Sequence, residues 1–169
     1  MLLDAGEEYL SGSRIAETLG ISRAAVWKQI RALEDEGYQI EAVQNRGYRL
    51  AQTNDVLSKD LVLRYLDGEI EGALLDVRDE VTSTNTLLKE AAERLPAWSV
   101  VCAGAQTAGR GRSGRSFYSP KDTGLYLSVL LKPEIPAAQA GRITTAAAVA
   151  ACRAIEACTE AEPKIKWVK

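Results

Sequence analysis

The sequence predicts an α+β protein in two parts, a winged helix-turn-helix over residues 1–52 and a mixed α/β region over 67–169, joined through 53–66. Three observations predict it. Two short helical patterns meet at Gly20 and run into a hairpin pattern that ends at Leu50. Residues 53–59, TNDVLSK, are polar and interrupt the apolar periodicity. Beyond them, strand-like and helical segments alternate on either side of a stretch rich in Gly and Arg.

In the first part, SRIAETLG (13–20) places Ile15, Ala16 and Leu19 at i, i+1 and i+4, one apolar helical face. Ser13 is the expected N-cap and Gly20 the stop. Ser22 then caps a second helix, on which Val26, Ile30 and Leu33 fall at i, i+4 and i+7, and Gly37 ends it. Ile40 and Ala42 alternate, Asn45-Arg46-Gly47 makes a turn, and Tyr48 and Leu50 return, which is a wing. The outer face of the second helix carries Arg23, Trp27 and Arg31 four residues apart, with Lys28 alongside. Those cations can neutralise phosphates, the indole can pack on a sugar or thymine methyl, and the wing adds Arg46 and Arg49. Residues 1–52 hold six Lys and Arg against eight Asp and Glu. A single copy therefore has too little positive charge for tight DNA binding, and a homodimer on two-fold operator DNA is expected.

In the second part, KDLVLRYL (59–66) reads as a short amphipathic helix and ALLDVRDEV (73–81) as a strand. TSTN leads into TLLKEAAERL, a helix starting near Asn85 with Leu87, Leu88, Ala91, Ala92 and Leu95 on one face. WSVVCAGAQ (98–106) is a buried strand, and GLYLSVLLK (124–132), apolar on both faces, suits a central one. Residues 137–158 form an Ala-rich helix, and IKWV begins a further strand.

Composition narrows the chemistry. The chain has 169 residues, net charge −2, 46% hydrophobic and 26% charged residues, and no histidine. Ser-His-Asp triads, Cys-His pairs and histidine metal sites are thereby excluded. Cys102, Cys152 and Cys158 lack CxxC spacing and read as thiols of a reducing cytoplasm, so no metal site is expected. No apolar run approaches the ~18 residues of a membrane span, and MLLDAGEEYL has no signal-peptide pattern.

The segment 104–120, GAQTAGRGRSGRSFYSP, carries Arg110, Arg112 and Arg115 among Gly109, Gly111 and Gly114, with no acidic residue up to Lys121. Glycine allows backbone amides to approach an anion closely, and arginine forks fit phosphate oxygens. Neither a Walker A pattern nor a dinucleotide fingerprint is present, so a phosphate cradle of another kind, or a basic RNA-binding loop, is expected.

Together STN (83–85), QTAGRGRSGRSFYSP (106–120), LYLSVLL (125–131) and KIKW (164–167) resemble biotin protein ligases in order and spacing. SRAAVWKQI (22–30) resembles the bifunctional members that also repress the biotin operon. The resemblance implies a winged helix joined to a catalytic domain related to class II aminoacyl-tRNA synthetases. It implies that biotin and ATP form biotinyl-5′-adenylate, with Mg2+ accompanying ATP, and that biotin passes to a lysine of biotin carboxyl carrier protein. Ser83, Thr84, Asn85, Gln106, Gly109, Arg110, Gly111, Arg112 and Lys166 would then bind biotin. Arg110, Arg112 and Arg115 would meet ATP phosphates, and Phe117 the adenine. Lys166 and Arg112 would act on the carboxylate–phosphate junction, and Ser22, Arg23, Trp27, Lys28, Arg31 and Arg46 would bind DNA. The alternative is a biotin-responsive winged-helix regulator without turnover. The family continues KWPND or KWVND where this sequence reads Trp167-Val168-Lys169, so a C-terminally shortened ligase, inactive by itself and prone to self-association, is expected.

Overall fold

The computed structural model describes residues 1–66 and 73–166. The chain divides into two compact units, 1–131 and 132–169.

In the first unit, α1 (Gly12–Leu19) and α2 (Arg23–Asp35) meet at Gly20, whose left-handed φ of 65° lets its N–H reach the carbonyls of Ala16 and Glu17. The cap of α1 is Ser11, not Ser13. Ser11 is extended (φ −64°, ψ 142°) and its side chain accepts the Arg14 N–H at 3.1 Å, while Ser13 already lies inside the first turn. Ser22 caps α2 as expected, its Oγ accepting the Ala25 N–H at 3.1 Å. β1 (Ile40–Val43) and β2 (Gly47–Leu50) form the antiparallel wing, and Leu10 exchanges both backbone hydrogen bonds with Tyr48 at 2.9 Å. That close approach requires Gly47, since a Cβ there would lie 2.1 Å from the Leu10 carbonyl oxygen. Leu10, Ile15, Ala16, Val26 and Ile30 make the core, with Leu2, Ala5, Ile40 and Tyr48 against it. Leu19, expected on the inner face, is 55% exposed because the helix ends there and its side chain falls at the core's rim.

Ser58 caps the short α3 (Lys59–Arg64), its Oγ accepting the Leu61 N–H. A three-stranded sheet follows in the order β3 (Leu75–Val81), β4 (Val100–Gln106), β5 (Tyr126–Val129). β3 and β4 are parallel and joined through α4 (Thr84–Ala91), while β5 is antiparallel to β4. Ser83 caps α4, which begins at Thr84, one residue before the expected start near Asn85. Among the described residues β4 is central and β5 pairs on one side only, which corrects the expectation of a central β5. Strand alternation explains the difference. Tyr126 and Ser128 are half-buried, with Ser128 bonded to α4, while Leu125, Leu127 and Val129 are exposed on the other face.

The second unit holds a turn at Ala137–Gln139 and α5 (Gly141–Cys158). No α5 residue is buried, and Thr159 ends the helix by bonding the Ile155 carbonyl through both N–H and hydroxyl. Residues 164–166 form no strand, and Trp167–Lys169 of the expected strand lie outside the described residues.

Candidate functional site

The Gly/Arg segment leaves the end of β4 and folds back as a hydrogen-bonded hairpin. Gln106 pairs with Ser119 and Arg110 with Ser116. The Gly111 N–H donates to the Arg115 carbonyl at 2.7 Å, and the Phe117 N–H to the Gly109 carbonyl at 2.8 Å. The tip is a tight turn at Arg112–Gly114, where Ser113 and Gly114 both take left-handed φ of 57° and 74°. Thr107 and Ala108 donate their N–H groups to the carbonyls of Val81 and Thr82, tying the hairpin base to the end of β3. Gly109 is needed for closure, because a Cβ there would lie 2.4 Å from the Phe117 carbonyl oxygen and 2.6 Å from the Ser119 hydroxyl.

A chain of polar side chains lies behind this hairpin. Gln106 Oε1 accepts the Thr84 N–H at 2.9 Å and the Thr84 hydroxyl at 3.3 Å. The Thr84 hydroxyl, having donated there, accepts from Ser128 at 2.9 Å. With Oε1 an acceptor, Gln106 Nε2 donates to the Ser119 hydroxyl at 3.0 Å, which donates to the Phe117 carbonyl at 3.2 Å. The donors therefore point one way from β5 to the returning limb of the hairpin, an order in which each bond polarises the next. Among the described residues no buried side-chain N or O in the structure lacks a partner.

In front of the chain is an open cleft of about 430 Å3 between α4 and the hairpin. Asn85, Thr86 and Lys89 form its helical wall; Ala108, Gly109, Arg110, Gly111, Gly114, Arg115 and Ser116 form the other. The structure thus brings together six of the residues singled out from sequence: Asn85, Gly109, Arg110, Gly111, Gly114 and Arg115. Ser83 and Thr84 are buried, and with Gln106 they stand behind the cleft rather than on it. Arg112 opens the tip turn. Phe117 is 58% exposed on the returning limb, outside the cleft lining. Lys166 belongs to the second unit. Sequence reasoning did not select Thr86, Lys89 or Ser116; Lys89 was detectable as the i+4 neighbour of Asn85.

The lining contains three cations and no carboxylate. Among the described residues, no ion pair uses Lys89, Arg110 or Arg115. Nor do the described residues contain a group of three or more His, Cys, Asp or Glu able to hold a metal. Burial pushes the Cys102 thiol up, which keeps this β4 residue protonated and unsuited to nucleophilic work. What remains is a site that can bind and orient a polyanion through charge and backbone amides.

A second surface lies on the winged helix. Ser11–Ser13, Arg23, Ala24 and Trp27 face Ala42–Tyr48 across a groove of about 650 Å3. Trp27 is 56% exposed, and the Arg31 guanidinium lies 5.5 Å from its ring centre while pairing with Glu34 at 2.9 Å. Lys28 is exposed but outside the groove, and the Ser22 hydroxyl is taken by the helix cap. Tyr9, not selected from sequence, lies under Arg46 at 4.3 Å and Arg49 at 4.7 Å. Its hydroxyl and Arg49 both donate to Glu41, at 2.7 and 2.6 Å, and together hold the Glu41 carboxyl below its usual range. Arg49 is thereby committed to the wing, while Arg46 lines the groove. Among the described residues, no helix is long and apolar enough to cross a membrane.

Residues 1–49 match the family described as HTH domain, and residues 77–169 match the Biotin/lipoate A/B protein ligase family. The bifunctional ligase/repressor BirA of Bacillus subtilis is 40% identical over 164 residues, which is 96% of this chain and 50% of that protein. The protein of the same name from Escherichia coli is 31% identical over 163 residues, again 96% and 50%. The chain spans about half the length of these relatives.

Proposed function

Because the chain belongs to the biotin/lipoate A/B protein ligase family, we propose that its Gly/Arg cleft binds a biotinyl-adenylate made from biotin and ATP. We further propose that biotin then passes to a lysine of biotin carboxyl carrier protein. The observation that carries this reading is the carboxylate-free cleft with cations on both walls, set where the hairpin leaves β4. In the first step a biotin carboxylate oxygen bonds to the α-phosphorus of ATP. The α–β bridging P–O bond breaks, and pyrophosphate leaves with its electron pair. In the second, the carrier amine bonds to the acyl carbon, the acyl–phosphate C–O bond breaks, AMP leaves, and the amine loses a proton. Neither step needs an enzyme nucleophile. Charge stabilisation and alignment suffice, in keeping with a histidine-free chain.

The roles follow the motif that these residues share with the family. Arg110, Arg112 and Arg115 meet phosphate oxygens, and Gly109 and Gly111 let the backbone close on the adenylate. Asn85 meets biotin in front of the buried Ser83–Thr84–Gln106 group, and Phe117 meets adenine. Mg2+ would travel with ATP on phosphate oxygens and water, because the cleft lining supplies no carboxylate.

The winged helix is the operator-binding module in this reading. Arg23, Trp27 and Arg46 carry it because they border one groove. Lys28 adds charge nearby, Arg31 stacks on Trp27, and Ser22 fixes the helix end. A homodimer in the cytoplasm presents two such modules to a two-fold site. Release of pyrophosphate that requires both biotin and ATP tests the reading. Its presence supports a ligase. Adenylate binding without release leaves the non-catalytic regulator, and neither binding nor release rejects both.

A further inference from the structure

Resting on that adenylation reading, we propose that Lys89 joins Arg110 and Arg115 in a polyphosphate subsite, which takes the pyrophosphate portion of a nucleoside triphosphate. The amphipathic α4 sets this up. Thr84 and Leu88 are its buried positions, whereas Asn85, Thr86 and Lys89, spaced i, i+1 and i+4, share the face that lines the cleft. Arg110 and Arg115 stand on the opposite wall, on the two limbs of a hairpin pinned at its base by Thr107 and Ala108. Three positive side chains from two elements therefore border one space with no negative side chain among them. Like charges gathered in this way raise one another's energy, and an anion between them removes the cost.

The lining also fits a hydrated polyanion better than an apolar ring. Ala108 contributes its only apolar side chain; the others are Gly, Asn, Thr, Ser, Lys and Arg. Lysine suits the rim in a different way from the arginines. Its ammonium is a strongly hydrated point charge on a flexible stem, able to follow a leaving group, whereas the arginine forks sit on the hairpin. The subsite thus grips the departing pyrophosphate from both walls: the arginine forks fix it from the hairpin, and Lys89 follows it from α4.

Calorimetric titration of the purified protein with inorganic tripolyphosphate at low ionic strength tests this. We expect binding by the unchanged protein and a loss of about fivefold in Lys89→Gln, the scale of one exposed charge contact. Lys89→Arg should keep the affinity, as should Lys121→Gln, whose lysine lies outside the cleft lining. In turnover, Lys89→Gln should raise KM for ATP and leave the biotin dissociation constant unchanged. No tripolyphosphate binding, or equal binding by Lys89→Gln, overturns the subsite. Lys89-dependent tripolyphosphate binding without biotin-dependent pyrophosphate release keeps the subsite and rejects the adenylation reading. Biotin-dependent release with an unchanged KM for ATP in Lys89→Gln does the reverse.

Discussion

Ser119 is the joint between the buried polar chain and the hairpin. It is 3% exposed, takes a hydrogen bond from Gln106 and gives one to Phe117. Ser119→Ala leaves an amide N–H and a carbonyl without that partner, each costing about 1–3 kcal/mol when buried. The loss falls on the limb that carries Arg115, so the hairpin should open while the winged helix stays folded. Trypsin should then cut at Arg110 and Arg115 several-fold faster. Ser128→Ala, which removes a hydroxyl at the β5 end of the same chain, should leave that rate near the original. Equal acceleration by both variants would show that Ser119 has no special part in holding the hairpin. None of this was readable in the sequence. Gln106 and Ser119 lie thirteen residues apart, and only the closed hairpin makes them neighbours. The Gly and Arg residues were readable, because glycine spacing and the missing acids are local properties.

The helix starts depend on contacts beyond the local periodicity. Ser11 and Ser13 are both good cap residues two positions apart, and periodicity alone cannot choose between them. The choice is made by Leu10, whose paired hydrogen bonds with Tyr48 keep the chain extended up to Ser11. Ser11→Ala should cost about 1 kcal/mol and Ser13→Ala close to nothing, read as shifts in the urea midpoint of the winged helix. The reverse order would restore the cap to Ser13. β5 slipped for a related reason. A segment apolar on both faces predicts a covered strand, yet among the described residues it pairs only with β4. The β5 residue bonded to α4 is the polar Ser128, and no local pattern announces that.

At the largest scale, the helix-turn-helix periodicity before Leu50 and the strand patterns after the polar stretch 53–59 are local properties of the sequence, whereas the compact units 1–131 and 132–169 rest on contacts that no local pattern carries. The cleft was only half legible. Its hairpin wall is a continuous motif, but its helical wall depends on which face α4 turns toward the sheet. Operator binding belongs to the same level. The winged-helix region carries more acidic than basic residues, so the phosphate contacts of one copy are few. Gel shifts should rise with the square of protein concentration and weaken steeply with salt, and salt-independent binding by a monomer would contradict this. In the proposed reading a single cleft holds both halves of an acyl-adenylate, and calorimetric titration with a non-hydrolysable biotinyl-adenylate analogue probes both at once. One molecule should bind per chain, displaced by biotin and by ATP alike. Absence of binding, or displacement by only one of the two, would contradict that reading.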